Sequence, residues 1–377
     1  KMWEGVENLP TYRVNAPEKA PLFERDFAYQ RAKRGVYPYA MNDNPTLEKV
    51  DSSHRALYLE NDYIKVCVLP DIGGRLFYAT DKTNGYEIFY RQSVIKPANV
   101  GMLGAWISGG VEWNVFHHHR ATSQYPIDYK LVDNGDGSKT IWVGEVENRH
   151  RMSWAVGLTL YPDKSYIEVT GRFFNNSIDR NSMLHWNNVA THANENYQII
   201  FPECTEFGMF HHKLSHMHWP VPQSPYKNNP AYIGKDISWW KNLPSLTGDS
   251  VFIHDLQDDF VGGYDHGVDA GTMLAGNHNI NKGGKFWTWG PHAYGHAWDC
   301  VTLTDSDGPY VELMTAAYSD NQPDYCWINP QETKEFTAYW YGIRNLNNVN
   351  RGNEKATVNM DINPKGAIHV AANVTQI

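Results

Sequence analysis

Four clusters of residues in this chain have types and spacings that could do chemistry. The densest is Trp106-Ile-Ser-Gly-Gly-Val-Glu112-Trp113-Asn114-Val-Phe-His117-His118-His119-Arg120. Adjacent glycines allow close backbone approach to a ligand, while Glu112, Asn114 and a histidine triplet set charge and hydrogen-bonding groups beside Trp106 and Trp113. That mixture suits a sugar-binding wall, where aromatic faces stack on the ring and polar groups bond its hydroxyls. Consecutive residues of a strand alternate faces, so His117 and His119 can share a site while His118 points away. A metal ion, if bound, would sit at that pair. Local spacing supplies no third ligand, so no cofactor is expected.

The second cluster is Leu184-His185-Trp186-Asn187-Asn188-Val-Ala-Thr-His192, with His211, His212, His216, His218 and Trp219 following. Imidazoles exchange protons near neutral pH, as ring-opening or glycosidic chemistry requires. The later histidines read mostly as solvent-facing groups. The third cluster, Phe286-Trp287-Thr-Trp289-Gly-Pro-His292-Ala-Tyr-Gly-His296-Ala-Trp298-Asp299, offers flat stacking surfaces, although core packing accounts for at least one tryptophan. The fourth, Thr304-Asp-Ser-Asp307-Gly308-Pro309-Tyr310-Val311-Glu312-Leu313-Met314, is a turn feeding a strand with one carboxylate among large side chains. Burial raises a carboxyl pKa and makes Glu312 usable as a base; a bond to backbone or arginine is the plainer alternative.

The elements that must position these groups are strands. Tyr58–Leu69 alternates apolar and polar residues and stops at Pro70, which predicts one strand. Turn residues at 134–137 and 162–164 separate strand-like runs and predict two hairpins. Tyr310–Met314 and Glu335–Tyr341 continue the pattern, and no long segment sustains a helical period. The expected fold is all-β: one oversized pair of antiparallel sheets over residues 51–345, an N-terminal strap over 1–50, a long loop at 203–250, and a linker with the start of a further module over 346–377.

Composition narrows the partners. With 33 Lys and Arg against 42 Asp and Glu, a formal net charge of −9, and no basic run, nucleic acid is not expected. No apolar stretch approaches the ~20 residues of a membrane span, and Lys1-Met2-Trp3-Glu4 lacks the pattern of a signal peptide. Cys67, Cys204, Cys300 and Cys326 are widely spaced and are expected as buried thiols. The 14 Trp, 23 Tyr, 14 Phe and 17 His favour carbohydrate chemistry.

Leu69-Pro70-Asp71-Ile-Gly73-Gly74-Arg75-Leu-Phe and Asp81-Lys82-Thr-Asn-Gly85-Tyr-Glu-Ile-Phe-Tyr90 resemble the opening strands of galactose mutarotase-like proteins, the aldose 1-epimerase superfamily. Glu312, Asn321-Gln322-Pro323-Asp324 and Asn329-Pro330-Gln331-Glu332 resemble their C-terminal pattern. More narrowly, Gly263-Tyr264-Asp265-His266, Trp287-Thr-Trp289-Gly290, the Thr304–Glu312 segment and Trp340-Tyr-Gly-Ile343 resemble domain-of-unknown-function family 5107. The resemblance spans roughly residues 50–345 and implies a β-supersandwich with a sugar site on one concave face. It also implies Glu312 as base, His185 or His192 as the acid on the ring oxygen, and His117 or His119 as a second histidine. The epimerases' Leu-His-Gly-Gly-type segment is replaced here by His117-His118-His119-Arg120, and their Asn-Arg motif has no clear match.

The leading expectation is a carbohydrate-active domain that binds an oligosaccharide or polysaccharide and acts at an anomeric centre. Glu312 would work with His185, His192 or Glu112 in glycoside hydrolase-like chemistry. Arg75, Trp106, Trp113, Asn114, His117, His119, Asn188, Trp287, Trp289, His292 and Trp298 complete the expected binding set. The alternatives are an aldose mutarotase or epimerase and a non-catalytic carbohydrate-binding module. A periplasmic or cell-surface location is expected from the glycan role alone.

Overall fold

The computed structural model describes residues 1–17, 38–117, 119–321 and 324–376. Two large antiparallel sheets dominate, as the all-β supersandwich expectation requires. The first has eleven strands, in the spatial order Met2–Val14, Pro45–Glu60, Ile64–Leu69, Arg75–Asp81, Val111–Asn114, Trp186–His192, Tyr310–Ala316, Gly283–Thr288, Asp249–Ile253, Phe207–Met209 and His216–His218. The second has eight, running from Tyr197–Ile200 through Thr333–Arg344 to Asp128–Asp133.

The core lies between the sheets. Val66, Leu76, Val111, Trp113, Val189, Phe286, Val311 and Leu313 of the first sheet meet Val143, Val156, Val169, Phe173, Phe336 and Trp340 of the second in one buried cluster. Trp113 stacks on Trp340 with ring centroids 5.9 Å apart and 13° between planes. Burial of these aromatics and branched aliphatics drives the two sheets together.

Both predicted hairpins form, with Tyr129 opposite Val143 and Leu158 opposite Val169. The Tyr58–Leu69 segment differs from expectation: it is two strands folded on each other, with Tyr58 opposite Cys67. Asn61 makes the turn, its Oδ1 accepting from the backbone N–H of Tyr63 and Ile64 at 2.9 and 2.8 Å. The Asn-Asp pair at 61–62 outweighs the alternation on either side.

The expected N-terminal strap contributes an edge strand instead, since Met2–Val14 pairs with Pro45–Glu60; residues 18–37 lie outside the described set. At the other end, Arg351–Gly352, Ala356–Ile362 and Ile368–Val374 form a separate three-stranded sheet. Only Cys67 of the four thiols is buried; Cys204 is exposed, and Cys300 and Cys326 are intermediate. Among the described residues, no helix is long and apolar enough to cross a membrane.

Candidate functional site

Alternation along four central strands creates the site. Trp113, Val189, Phe286, Val311 and Leu313 face the core. Their neighbours Glu112, Asn114, Asn188, Ala190, Lys285, Trp287, Tyr310 and Glu312 therefore stand on the opposite, outer face of the eleven-stranded sheet. Register aligns them: Asn188 lies opposite Glu112 on one side and Met314 on the other, and Glu312 lies between Ala190 and Trp287. Glu112, Asn188, Lys285 and Glu312 are only 3, 5, 8 and 5% exposed, although they point away from the core.

Their cover comes from two apolar clusters on that face. One joins Tyr90, Ala98, Val100, Trp106, Ala190, Trp289, Leu303 and Tyr310. The other joins Leu184, Trp186, Phe252, Met314 and Ala316, and Trp287 packs against both. The polar residues thus form a strip between two apolar walls.

Within the strip, Glu112 Oε2 accepts from Trp106 Nε1 at 2.9 Å and sits 3.0 Å from His119 Nδ1. Burial alone would raise the Glu112 pKa, but the His119 charge and bond, Arg75 and the Trp106 N–H hold it down at about 2. For His119 burial works against the proton, and Glu112 outweighs it, so the imidazole pKa is raised. Glu312 behaves oppositely. Burial, reinforced by the Glu112 charge, raises its pKa against the pull of His119, Lys285 and Arg75. Asn188 Nδ2 donates to Glu312 Oε2 at 3.1 Å. Burial lowers the Lys285 pKa. The Arg75 guanidinium is fully buried, donates to the Gly109 and Ile107 carbonyls, and directs its charge at both carboxylates.

The aromatic walls are ordered. Trp289 and Trp298 stack at 4.1 Å with 4° between planes, Trp287 meets Trp289 edge-on at 4.6 Å, and Trp289 Nε1 donates to the Tyr310 hydroxyl at 3.2 Å. At the other end, the Lys285 ammonium lies 4.6 Å from the centre of the Phe252 ring and 5.7 Å from that of Trp186.

The outer face brings together Arg75, Trp106, Glu112, Asn114, His119, Asn188, Trp287 and Glu312 from the expected set, with Trp289 and Trp298 alongside. Two expected residues require correction. Trp113 is a core residue whose Nε1 donates to the Gly74 carbonyl at 2.8 Å, because it occupies the opposite strand parity to Glu112 and Asn114. His185 is wholly buried between Phe173 and Phe336, its ring centroids 4.7 and 4.9 Å from theirs, where burial drops its pKa to about 3. It cannot hand a proton to a ligand on the outer face.

His192 is on the outer face but packs edge-on against Tyr90 at 4.2 Å, and burial lowers its pKa to about 4. His117 does not join His119: it meets His150, Tyr325 and Ser182 instead. His292 lies 3.0 Å from the Leu243 carbonyl through Nε2 at the start of the short helix Ala293–Ala297, which interrupts the expected loop. The glycine pair at 109–110 serves backbone packing, since a Cβ on Gly110, at φ +57, would meet the Leu76 carbonyl oxygen at 2.2 Å.

Lys285, Trp186, Tyr310 and Asp299 escaped the sequence reading as site residues. Lys285 had a usable signal: it shares the parity of Trp287 and flanks the apolar Phe286. Asp299 had none, because its burial, which with the Glu312 charge lifts its carboxyl pKa to about 9 against a bond from the Tyr310 backbone, depends on a distant strand.

A family model described as "Domain of unknown function (DUF5107)" matches residues 31–343. Among solved structures, a TPR-domain containing protein from Parabacteroides distasonis superposes with a TM-score of 0.77 at 20% identity over 91% of this chain, which spans 55% of that protein's length. A protein provisionally described as a mutarotase, from Salmonella typhimurium, gives 0.54 at 8% identity, covering 77% of this chain and 91% of that one. One provisionally described as an aldose 1-epimerase, from Klebsiella pneumoniae, gives 0.52 at 10% identity, covering 77% and 80%. These likenesses establish the galactose mutarotase-like fold.

Proposed function

The chain belongs to the DUF5107 family, and from the outer-face site we propose that it interconverts the anomers of an aldose. The observation that carries this reading is a pair of neighbouring groups on one face: burial raises the pKa of Glu312 above an ordinary carboxyl, and Glu112, 3.0 Å from Nδ1, raises that of His119. A base poised toward neutral pH beside an imidazolium is what ring opening at an anomeric carbon needs.

In this reading the sugar lies against Trp287, with its anomeric hydroxyl at Glu312 and its ring oxygen at His119. Glu312 takes the hydroxyl proton while His119 gives one to the ring oxygen. The C1–O bond of the ring breaks and leaves the open-chain aldehyde. Rotation about C1–C2 presents the other carbonyl face, and the reverse transfers close the ring and return both protons. Glu112 is a positioning residue: it fixes the imidazole through Nδ1 and leaves Nε2 for the substrate. Asn188 orients the Glu312 carboxylate.

The fold shared with proteins provisionally described as a mutarotase and an aldose 1-epimerase supports this alternative over the glycoside hydrolase-like reading. So does the engagement of Glu112 by both Trp106 and His119, which gives that carboxylate work other than attack on a glycosidic bond.

The test follows anomer exchange by NMR in freshly dissolved single-anomer aldoses, neutral and acidic. Wild-type protein accelerates exchange of at least one of them, and Glu312→Gln does not. Unchanged exchange for every aldose with wild-type protein would sink the reading.

A further inference from the structure

Lys285 is a charged group of the site that the protein leaves unanswered. Its residue is 8% exposed, and among the described residues it has neither a hydrogen-bond acceptor nor an ion pair; its ammonium rests on the rings of Phe252 and Trp186. Burying an ammonium without an acceptor is unfavourable. The Glu312 charge acts on it. The two stand on a cross-strand diagonal, since Glu312 pairs with Trp287, two residues from Lys285. Such diagonals put the two residues about 7–8 Å apart along the backbone, so that one ligand can meet both side chains.

The charge count points the same way. With His119 protonated and Glu312 ionised, as the anomer-exchange reading has them, Arg75, Lys285 and His119 set three cations against the carboxylates of Glu112 and Glu312. A sugar hydroxyl accepts a hydrogen bond from Lys285 but leaves that excess in place. A carboxylate accepts the bond and removes it. Phosphate fits less well, because around the ammonium Phe252 and Met314 supply no donor and Trp186 has at most its one indole N–H for a dianion.

We infer that the sugar this site takes carries a carboxylate, as in a uronic acid, and that Lys285 Nζ binds that group on C5, across the ring oxygen from C1. The inference rests on the anomer-exchange reading of the same site. It makes Lys285 a specificity-determining residue, with the flat walls holding the ring and the lysine selecting the acid.

The test titrates the protein calorimetrically with galacturonic acid, galactose and galactose 6-phosphate, and with the corresponding glucose and mannose sets, while NMR follows anomer exchange in each. One uronic acid binds at least about tenfold more tightly than its neutral counterpart. Lys285→Gln loses that margin and Lys285→Arg retains it in part. Equal binding of acid and neutral sugars, tighter binding of the phosphates, or a margin that survives in Lys285→Gln overturns the inference. Faster exchange of neutral sugars without any acid preference would overturn it and spare the anomer-exchange reading. Lysine-dependent uronate binding without faster exchange would do the reverse.

Discussion

Asn188 Nδ2 donates to Glu312 Oε2 at 3.1 Å across the seam between two antiparallel strands of the large sheet. The pair fixes the orientation of a carboxylate that burial would otherwise leave to its neighbours' charges. It also favours the ionised form, because the amide gives its hydrogen to an oxygen carrying charge.

Asn188→Ala is therefore expected to raise the Glu312 pKa further. If Glu312 must be ionised to act, the acidic limb of the pH–rate profile of anomer exchange moves to higher pH, and the rate recovers in alkaline buffer. A merely structural role would lower the rate evenly at all pH values.

Glu312→Gln is expected to lower the exchange rate by at least about a hundredfold and yet to stabilise the fold. The sign follows from the raised pKa. The folded state binds the proton more tightly than the unfolded chain, so wild-type stability declines as pH rises from the ordinary carboxyl value through the folded one. The neutral amide escapes that decline. Thermal unfolding at pH 5 and pH 8 checks it, with the advantage of the variant in Tm larger at pH 8.

Glu112→Gln removes the charge that raises the His119 pKa. The His119 pKa then falls, the alkaline limb of the rate profile moves to lower pH, and the rate at pH 7 drops roughly tenfold. Titration of the His119 ring protons by NMR reports the shift independently of turnover.

His185→Leu is expected to leave anomer exchange intact, since His185 lies in the core between Phe173 and Phe336. Its folded pKa is about 3 against an ordinary 6.5, so the unfolded chain takes up a proton as pH falls below 6.5 while the folded protein does not. This group's contribution to stability is complete above 6.5 and is lost toward pH 3, by about 2 kcal/mol at pH 5. Denaturant unfolding at pH 7 and pH 5 should show a smaller acid loss in the variant.

Much of the architecture is legible in the residues. Alternation and turn chemistry at 134–137 and 162–164 place hairpins where they form, and the segment around Glu312 is a strand of the large sheet. Asn61 shows the limit: a two-residue turn signal lies inside an otherwise regular run, and the alternation reads straight across it. The helix at Ala293–Ala297 is not legible, because glycine, proline and aromatics there read as a loop.

By itself, the sequence determined the fold class and the residue types available for chemistry, since period-two alternation and turn residues are local properties that tertiary packing obeys. It also determined that Glu112 and Trp113, being adjacent on a strand, face opposite ways. Which of the two faces the core, and whether His185 or His119 joins Glu312, were decided only when strands distant in the chain were laid side by side. Register and sheet packing set those choices. A one-residue slip would exchange the two faces, and nothing within a single strand specifies its partner.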